Sequence, residues 1–386
     1  MDLKYKRVAE LHMLEDFMNQ MYEKLRVLER DEKPLESRER LASMKGPLLE
    51  WYDANRRILP WREDPEPYRV WISEIMLQQT RVEAVKPYFN RFVEALPTVK
   101  ALSEVPEEIL LKLWEGLGYY NRARNLKKAA ILMVEQYHGR LPASYEELLK
   151  LPGIGSYTAG AIASIAYGIP VPAVDGNVLR VISRILASRE DVLKQSVKRK
   201  MEADILEVIP TERASAFNQA LIELGAIVCV PNGQPKCGEC PLESVCLAKK
   251  QGLTDQIPYK APKKARKIED RTVLLVELED KFAILKRPDA GLLASLYEFP
   301  NLDGALNGEQ VRSYFEREGI KTVELEPLPP AKHIFSHVEW HMTGYHVKLE
   351  GRVPESYVMA EKDEIRTRYP LPNAFSAYIK LLFGES

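Results

Sequence analysis

The chain has 386 residues, of which 45% are hydrophobic, and a formal net charge of −1 at pH 7. This length indicates two or three domains with real cores, and the balanced charge gives no electrostatic sign of a nucleic-acid partner, which must be argued from motifs. No apolar run reaches the ~18–20 residues of a membrane span, and the N-terminus MDLKYKRVAE lacks the apolar stretch of a secretory signal, so we expect a soluble cytoplasmic protein.

Residues 1–45 are predicted to form a helical extension. Apolar residues recur there every three or four positions among charged neighbours, as on the seam of an amphipathic helix: Leu11, Leu14, Met18, Met21, Leu25 and Leu28. Such a seam fits either a partner or coiled-coil contact or packing against the rest of the chain, and packing is favoured. The segment does not reveal a function.

The rest of the chain divides into two regions by the period of its apolar residues. From 46 to 250 the spacing is helical almost throughout, which predicts an all-α domain. Residues 251–268 are polar, basic and proline-containing and are predicted to be a linker. From 269 to 386 the segments RTVLLVELED and HVEWHMTGYHVKLEG alternate like strands and GEQVRSYFEREG is helical, so the second domain is expected to be α+β.

A glycine hairpin stands directly before a helical run in the first domain. Its sequence is Leu151-Pro152-Gly153-Ile154-Gly155, followed by YTAGAIASIAYG. Two glycines at this spacing make a tight turn at a helix N-terminus, whose free amides attract an anion such as a phosphate. The pattern therefore predicts the hairpin of a helix-hairpin-helix motif, which grips a DNA backbone without reading bases. An ordinary glycine-rich helix cap is the alternative.

Two carboxylates in the same region suggest acid–base chemistry. Glu74 lies between Ile72 and Ile75 in WISEIMLQQTRV, and apolar surroundings raise a carboxyl pKa towards neutrality. Asp175 follows Pro172 in PAVDGNV and precedes the helical run VLRVISRIL. Each residue alone fits a surface or capping role. As a pair with different environments they fit the cleavage of a glycosidic bond.

All four cysteines fall in one window: Cys229, Cys237, Cys240 and Cys246. Four thiolates are the ligand set of a tetrahedral zinc ion or of an iron–sulfur cluster, and the cluster is favoured. Two disulfides would require an oxidising compartment, for which the sequence gives no signal. Zinc stays open, because spacing alone does not fix the metal.

From residue 46 onwards the chain resembles the MutY-type adenine DNA glycosylases, within the helix-hairpin-helix glycosylases. The resemblance rests on motifs spread over both domains: LPWR (59–62), WISEIMLQQTRVE (71–83), WEGLGYYNRARNL (114–126), LPGIGSYTAGA (151–161), AVDGNV (173–178), FNQALIELGA (217–226), the cysteine window, GLLASLYEFP (291–300) and HIFSH (333–337). It implies a base-excision-repair enzyme that binds double-stranded DNA and removes adenine mispaired with 8-oxoguanine or guanine.

The resemblance assigns catalytic roles to four residues. Glu74 matches the acid that protonates adenine N7 and then handles the water, and Asp175 matches the carboxylate that stabilises the cationic sugar. Tyr157 and Asn177 match residues that position these two groups. Because related glycosylase/lyases carry a lysine at the position of Tyr157, and a phenol cannot form an imine, we expect a monofunctional enzyme.

Further positions match residues that hold the DNA. Gln79 and Tyr119 match the residues that wedge into the duplex, and the hairpin glycines Gly153 and Gly155 match the backbone-gripping turn. The adenine pocket is expected to be lined by four residues: Arg57, Leu59, Trp61 and Gln219.

The C-terminal domain resembles a Nudix-like fold without an intact metal-binding signature, so nucleotide hydrolysis is not expected there. Its Phe335, Ser336 and His337 match a loop that probes 8-oxoguanine. The clustering of His333, His337, His341 and His346 suggests a metal site instead, which the strand-like local pattern disfavours.

The resemblance also implies a [4Fe-4S] cluster at the four cysteines. The family usually has six residues between the first two cysteines, whereas VPNGQPK gives seven here. A Pro-Asn-Gly turn can absorb one residue as a surface bulge, so we expect all four ligands to remain in place. We further expect a monomer that works on the nucleoid. The alternatives are another helix-hairpin-helix glycosylase or lyase and a non-catalytic iron–sulfur DNA-binding protein.

Overall fold

The computed structural model describes residues 35–262 and 265–385. The apolar seam from Leu11 to Leu28 lies outside the described residues. The described end of the predicted extension, helix Leu35–Ser43, contacts the chain's own helical part, since Arg40 Nη1 donates to the Val245 carbonyl oxygen at 2.9 Å. No helix among the described residues is both long and apolar enough to span a membrane.

Short α-helices make up the described chain as far as Lys250. In chain order they are α1 (Leu35–Ser43), α2 (Lys45–Asn55), α3 (Pro60–Glu63), α4 (Pro67–Leu77), α5 (Val82–Ala95), α6 (Val99–Glu104), α7 (Glu107–Leu113), α8 (Asn121–Gln136), α9 (Tyr145–Leu149), α10 (Ser156–Tyr167), α11 (Gly176–Ile185), α12 (Gln195–Leu206), α13 (Ala214–Ile227) and α14 (Leu247–Lys250). The helical prediction for this region is confirmed.

Helix α4 is buried on nearly all its faces, which is why a carboxylate on it lies in apolar surroundings. Pro67 begins the helix at its first turn, and every residue but one from Tyr68 to Met76 is buried. Helix α10 packs against α4, and both α10 and α11 pack against α13. These four helices bring residues far apart in sequence to one place.

Two glycines permit the closest approaches between these elements. A Cβ at Gly160 of α10 would lie 2.0 Å from the Pro172 carbonyl oxygen, and a Cβ at Gly225 of α13 would lie 2.6 Å from Asn177 Cβ. Real Cβ atoms do not approach other atoms so closely, so each glycine is needed for the packing around it. The segment 172–177 is thereby held against both helices.

The chain from Lys267 onwards forms one mixed sheet with helices on both faces. The strands are β1 (Lys267–Leu278), β2 (Lys281–Lys286), β3 (Tyr297–Glu298), β4 (Asn301–Asp303), β5 (Lys321–Ile334), β6 (Val338–Glu350) and β7 (Val358–Ala360), and the helices are α15 (Gly308–Arg317), α16 (Lys362–Thr367) and α17 (Ser376–Phe383). The main strand order is β3-β2-β1-β6-β5, with β1 parallel to β6 and β4 and β7 pairing β1 and β2 respectively.

Strand β1 lies at the centre of this sheet and is buried on both faces. Val273 and Leu275 join a core with Phe375 and Tyr378, whereas Leu274 and Val276 join a second core with helix α15. This double burial explains the continuous apolar run TVLLV. The α+β prediction for the C-terminal domain is confirmed.

Contacts divide the described chain into two compact units. The first contains the residues up to Gln78 together with Glu135–Pro262, and the second contains Gln79–Val134 together with the C-terminal domain from Lys263. Helices α5 to α7 and most of α8 thus belong with the mixed sheet. The predicted domain limits at 46–250 and 269–386 do not anticipate this grouping.

Candidate active site

Glu74 is a buried carboxyl group with one strong hydrogen-bond donor. Only 6% of the residue is exposed, and Tyr157 Oη donates to Glu74 Oε2 at 2.5 Å. Burial raises the pKa of Glu74 to about 7, against the lowering effect of the Tyr157 hydrogen bond. The negative charge of Asp175 also raises this pKa, and the positive charge of Arg62 lowers it. The group is therefore an acid near neutral pH.

Tyr157 holds this acid from the first turn of α10. Burial and the negative charge of Glu74 raise the pKa of Tyr157 well above its usual value of 10.0. The phenol therefore keeps its proton and acts as a donor towards Glu74. A lysine here would place an amine at the same point of the site.

Asp175 begins helix α11 as its N-cap. Its Oδ1 accepts from the backbone amides of Asn177 and Val178 at 2.8 Å each, and its Oδ2 accepts from Asn177 Nδ2 at 2.7 Å. Burial raises the pKa of Asp175, whereas these donors lower it. Asp175 therefore has the capping role that the sequence suggested, and the cap fixes its carboxylate in one orientation.

Arg180 was not predicted from the sequence, and it joins this cap to the cysteine segment. Its Nη2 donates to Asn177 Oδ1 at 2.9 Å and to the Gly225 carbonyl oxygen at 2.7 Å, and its Nε donates to the Cys229 carbonyl oxygen at 2.7 Å. The Asn177 amide, which holds Asp175, is thus itself oriented by a buried arginine.

Glu223 is a second residue that sequence reasoning missed. Its side chain is fully buried and forms ion pairs with Arg57 Nε at 2.7 Å and Arg62 Nη2 at 2.8 Å. Of the predicted pocket residues nearby, Leu59 and Trp61 are buried, and Gln219 is half-buried with its Nε2 donating to Ser215 Oγ at 3.1 Å. The partners of Glu223 lie 166 and 161 positions away in sequence, so no local pattern marks it.

The glycine hairpin has the predicted form. Gly153 adopts a φ of 78°, in the left-handed region that favours glycine, and Gly155 is the N-cap of α10. Helix α9 ends just before it, so helix, hairpin and helix follow in order. Both glycines are exposed, which leaves the turn accessible to a phosphate.

The two predicted wedge residues both lie on turns with left-handed backbone. Gln79 has a φ of 59° and Tyr119 a φ of 48°, and both are exposed. One buried guanidinium links the two turns: Arg122 Nη2 donates to Thr80 Oγ1 at 3.3 Å and to the carbonyl oxygens of Leu117 and Gly118 at 3.0 Å each.

The predicted probe loop connects β5 to β6. Phe335 N donates to the Val338 carbonyl oxygen at 2.9 Å, which closes a tight turn and leaves Ser336 and His337 exposed. The Phe335 ring packs edge-on against Trp340, with the ring centroids 4.9 Å apart. Three of the four clustered histidines have partners of their own: His333 packs against Phe335, His341 Nε2 lies 2.7 Å from Glu339 Oε1, and His346 Nε2 lies 2.7 Å from Glu277 Oε2.

The four cysteines are free thiols that line a single pocket. The pocket has about 310 Å³ of space including its open mouth, and Arg184 and Lys236 lie beside the cysteines in its wall. Four thiols around one pocket are the donor set of a tetrahedral zinc ion or of an iron–sulfur cluster, so the lining is compatible with either group.

Two features adapt the cysteine segment to such a group. The turn at 231–234 is exposed, with Gly233 at a φ of 74°, so the extra residue forms a surface bulge while all four thiols line the pocket. Burial raises the pKa of the Cys240 thiol to about 12, and the three other thiols add to the rise, which shows that the four cysteines act on one another. Arg184 Nη1 lies 3.2 Å from Cys229 Sγ and donates to it.

Fold and site together define a helix-hairpin-helix base-excision DNA glycosylase with a Nudix-like C-terminal domain. Residues 72–210 match the HhH-GPD superfamily base excision DNA repair protein family, and residues 271–381 match the NUDIX domain family.

Curated relatives identify the branch. Adenine DNA glycosylase from Homo sapiens is 33% identical over 82% of this chain and 69% of its own length, and that from Buchnera aphidicola (strain Bp) is 36% identical over 75% of this chain and 82% of its own length. Among solved structures, a thermostable thymine-DNA glycosylase is 28% identical, covers 56% of this chain and 97% of its own, and has a TM-score of 0.49. The chain belongs to the adenine DNA glycosylase family, as the sequence motifs predicted.

Proposed function

We propose that this protein hydrolyses the N-glycosidic bond of adenine mispaired with 8-oxoguanine or guanine in duplex DNA, and that it does not cleave the strand. The observation that carries the proposal is the buried Glu74 carboxyl, held by Tyr157 at 2.5 Å and electrostatically coupled to Asp175. The choice of adenine as the excised base rests on the chain's similarity to curated adenine DNA glycosylases.

Glu74 starts the reaction as a general acid. Adenine is a poor leaving group until N7 is protonated, and a carboxyl group with a pKa of about 7 retains a proton to give at physiological pH. The proton passes to N7, the C1′–N9 bond breaks, and its electron pair leaves with the base. The Glu74 carboxylate then accepts a proton from the water that attacks C1′.

Asp175 stabilises the sugar cation that forms when the base leaves. Two backbone amides and Asn177 Nδ2 hold its carboxylate in one orientation, which costs no reorganisation during the reaction. Burial raises the pKa of Asp175, and these hydrogen bonds, with the positive charge of Arg180, oppose the rise and favour the ionised form. The proposed reaction uses Glu74 protonated and Asp175 ionised, as in a glycosidic pair.

Tyr157 supports a monofunctional enzyme. Schiff-base formation at C1′ needs a primary amine near the sugar, and this position carries a phenol that donates to Glu74 instead. Strand cleavage by β-elimination from an imine therefore has no nucleophile at this point of the site.

The remaining proposed roles concern DNA binding. The hairpin at Gly153 and Gly155 grips a phosphate, Gln79 and Tyr119 enter the duplex when the base flips, and Arg57, Leu59, Trp61 and Gln219 enclose the adenine. Phe335, Ser336 and His337 probe 8-oxoguanine. We propose that the enzyme acts as a monomer on nucleoid DNA.

The four cysteines are proposed to hold a [4Fe-4S] cluster. A bound cluster would supply a rigid cross-link between these four positions and no reactive centre, because Glu74 and Asp175 already account for the chemistry. An absorption spectrum with a broad band at the violet–blue boundary, and iron without zinc in metal analysis, are expected. Zinc without iron would refute the assignment.

The function is tested with duplexes carrying adenine opposite 8-oxoguanine, adenine opposite guanine, or an oxidised pyrimidine. We expect adenine release from the first two, with strand breaks only after mild alkali. Strand breaks without alkali would indicate a glycosylase/lyase, and tight binding without product would indicate a non-catalytic protein. Glu74→Gln is the matched control and should abolish release while leaving DNA binding intact.

A further inference from the structure

Glu223 is a fully buried carboxylate, and each of its two oxygens accepts two hydrogen bonds. Oε1 accepts from the Arg57 backbone amide at 3.1 Å and from Arg57 Nε at 2.7 Å. Oε2 accepts from Arg57 Nη2 at 2.9 Å and from Arg62 Nη2 at 2.8 Å. One side chain on α13 therefore fixes the backbone and the guanidinium of Arg57 as well as the guanidinium of Arg62.

This arrangement keeps Glu223 ionised. Burial alone would raise the pKa of Glu223, but the hydrogen bonds and charges of Arg57 and Arg62 outweigh burial and lower it to about 2. A buried carboxylate is tolerated only when it is paired and hydrogen-bonded, and here both partners are arginines. Since Arg57 and Arg62 retain part of their side-chain exposure, the charge on Glu223 is compensated at the edge of the pocket.

Arg62 links this carboxylate to the catalytic acid. Its positive charge acts on both Glu74 and Tyr157 and lowers the pKa of each. The other groups acting on Glu74 are the phenol of Tyr157 and the carboxylate of Asp175. Arg62 therefore supplies positive potential at the acid, and Glu223 is bonded directly to the guanidinium that supplies it.

We propose that Glu223 is a positioning residue of the glycosylase site, which fixes Arg57 and Arg62 in place and offsets one of their two positive charges, so that less positive potential opposes the proton on Glu74. The proposal rests on the proposed function, in which adenine is protonated at N7. Two uncompensated guanidiniums beside the base would oppose a further positive charge on it. With Glu223 ionised, the net charge of the three groups is +1 instead of +2, which lessens this opposition.

The test is a double-mutant cycle that removes the charges of Glu223 and Arg62 singly and together. The measured quantity is the pH dependence of single-turnover adenine release. Glu223→Gln preserves shape but removes the negative charge, so Arg62 lowers the pKa of Glu74 further and the alkaline limb should move to lower pH, by about half a unit or more. Arg62→Met should move the limb to higher pH. The double variant should return it close to the wild-type position.

A matched control separates this effect from general destabilisation. Glu298 is another buried carboxylate paired with an arginine, since it accepts from Arg287 Nη1 at 2.6 Å in the C-terminal domain. Glu298→Gln should lower the melting temperature without moving the alkaline limb. If Glu223→Gln behaves in the same way, Glu223 is a structural brace and the proposal is wrong.

Two further measurements keep the proposal testable. Should Glu223→Gln fail to fold, Arg62→Met alone decides, because an unmoved alkaline limb in that variant overturns the proposal. A ¹³C NMR titration of the full-length protein without DNA measures the pKa of Glu74, with the signal assigned by its loss in Glu74→Gln. Comparing this pKa between the wild type and the Glu223 and Arg62 variants shows whether these residues act on Glu74. A shift of the Glu74 pKa with no adenine release by the wild type would refute the proposed function and leave the coupling standing.

Discussion

Glu74 shows how burial sets the working pH of a carboxyl group. The acid must be protonated and Asp175 ionised, so adenine release should follow a bell-shaped pH profile whose alkaline limb lies near pH 7. Glu74→Gln should lower the single-turnover rate by at least about 100-fold below this limb, and the difference should narrow above it because the wild type itself loses the proton. Rates measured from pH 5 to 9 check this, and an alkaline limb that persists in a residually active Glu74→Gln enzyme would contradict the assignment.

The same carboxyl group should destabilise the fold at alkaline pH. The folded-state pKa of Glu74 is raised from 4.5 to about 7, so the folded state binds the proton more tightly than the unfolded state. The stability that this gives is present below pH 4.5 and is lost as pH rises through about 7. Glu74→Gln should therefore melt at a higher temperature than the wild type at pH 8, with a smaller difference at pH 5. If the difference in melting temperature between Glu74→Gln and the wild type were the same at pH 8 and pH 5, the folded state would not raise the pKa of Glu74.

The sequence could indicate some of these residues and not others. The apolar neighbours of Glu74 indicate a buried acid, and the position of Asp175 in a loop after Pro172 and before a helical run indicates a second carboxylate. Glu223, Arg180 and Arg122 act through partners distant in sequence or through backbone atoms. Neither periodicity nor spacing records such pairs, and only the folded chain reveals them.

The turn that contains Gln79 and the turn that contains Tyr119, the two predicted wedge turns, are linked by the side chain of Arg122. Its Nη2 reaches the turn of Gln79 at Thr80 and that of Tyr119 at Leu117 and Gly118. Arg122→Lys retains the charge but not the planar fork, so it should slow base flipping by about 10-fold or more. Stopped-flow fluorescence of 2-aminopurine beside the target adenine measures this step.

Two comparisons define the outcome for Arg122. Thr80→Val removes only one of the three contacts and should have a smaller effect than Arg122→Lys. The alkaline limb of adenine release should stay in place in both variants, since neither changes a charge near Glu74. Flipping at the wild-type rate in Arg122→Lys would show that the wedge turns are held by other contacts.

Whether a segment is a helix or a strand was largely predictable from the sequence. The spacing of apolar residues follows the spacing of buried positions, which differs between a helix and a strand. The helices of the first domain have one apolar stripe or several, and the strands of the second alternate. The left-handed backbone at Gln79 and Tyr119 was not predictable, because neither residue type signals a positive φ. Glycines at 116 and 118 hint at an irregular turn without fixing which side chain it exposes.

At the scale of the whole molecule, the wedge-bearing segment Gln79–Val134 belongs with the C-terminal domain. Leu371 N donates to Glu115 Oε1 at 2.7 Å, Asn373 Nδ2 donates to the Gly116 carbonyl oxygen at 3.0 Å, and Lys112 Nζ donates to the Tyr369 carbonyl oxygen at 3.0 Å. The turn that carries Tyr119 is therefore braced by residues 369–373. A domain boundary drawn from composition could not indicate this grouping, because composition and apolar period follow the type of secondary structure and not the contacts between distant segments.

Loss of one brace should loosen that turn. In Asn373→Ala, amide hydrogen exchange of residues 114–120 should become several-fold faster, because the Gly116 carbonyl oxygen loses its donor. Asn301→Ala is the control, since Asn301 Nδ2 donates to the Phe299 carbonyl oxygen within the C-terminal domain. Equal exchange in the two variants would show that residues 369–373 do not support the turn.

The contact between Gly225 and Asn177 has a consequence for genetic variation. Every amino acid other than glycine has a Cβ, and at this position that atom would lie 2.6 Å from Asn177 Cβ and 3.1 Å from Asn177 Cα. Any missense change of this codon therefore pushes on the residue that orients Asp175. In a saturation scan of adenine release, all substitutions at 225 should fail alike, whereas position 46, where nothing lies within 4 Å, should tolerate many. We therefore expect loss of activity for variants at Gly225 whichever residue replaces the glycine.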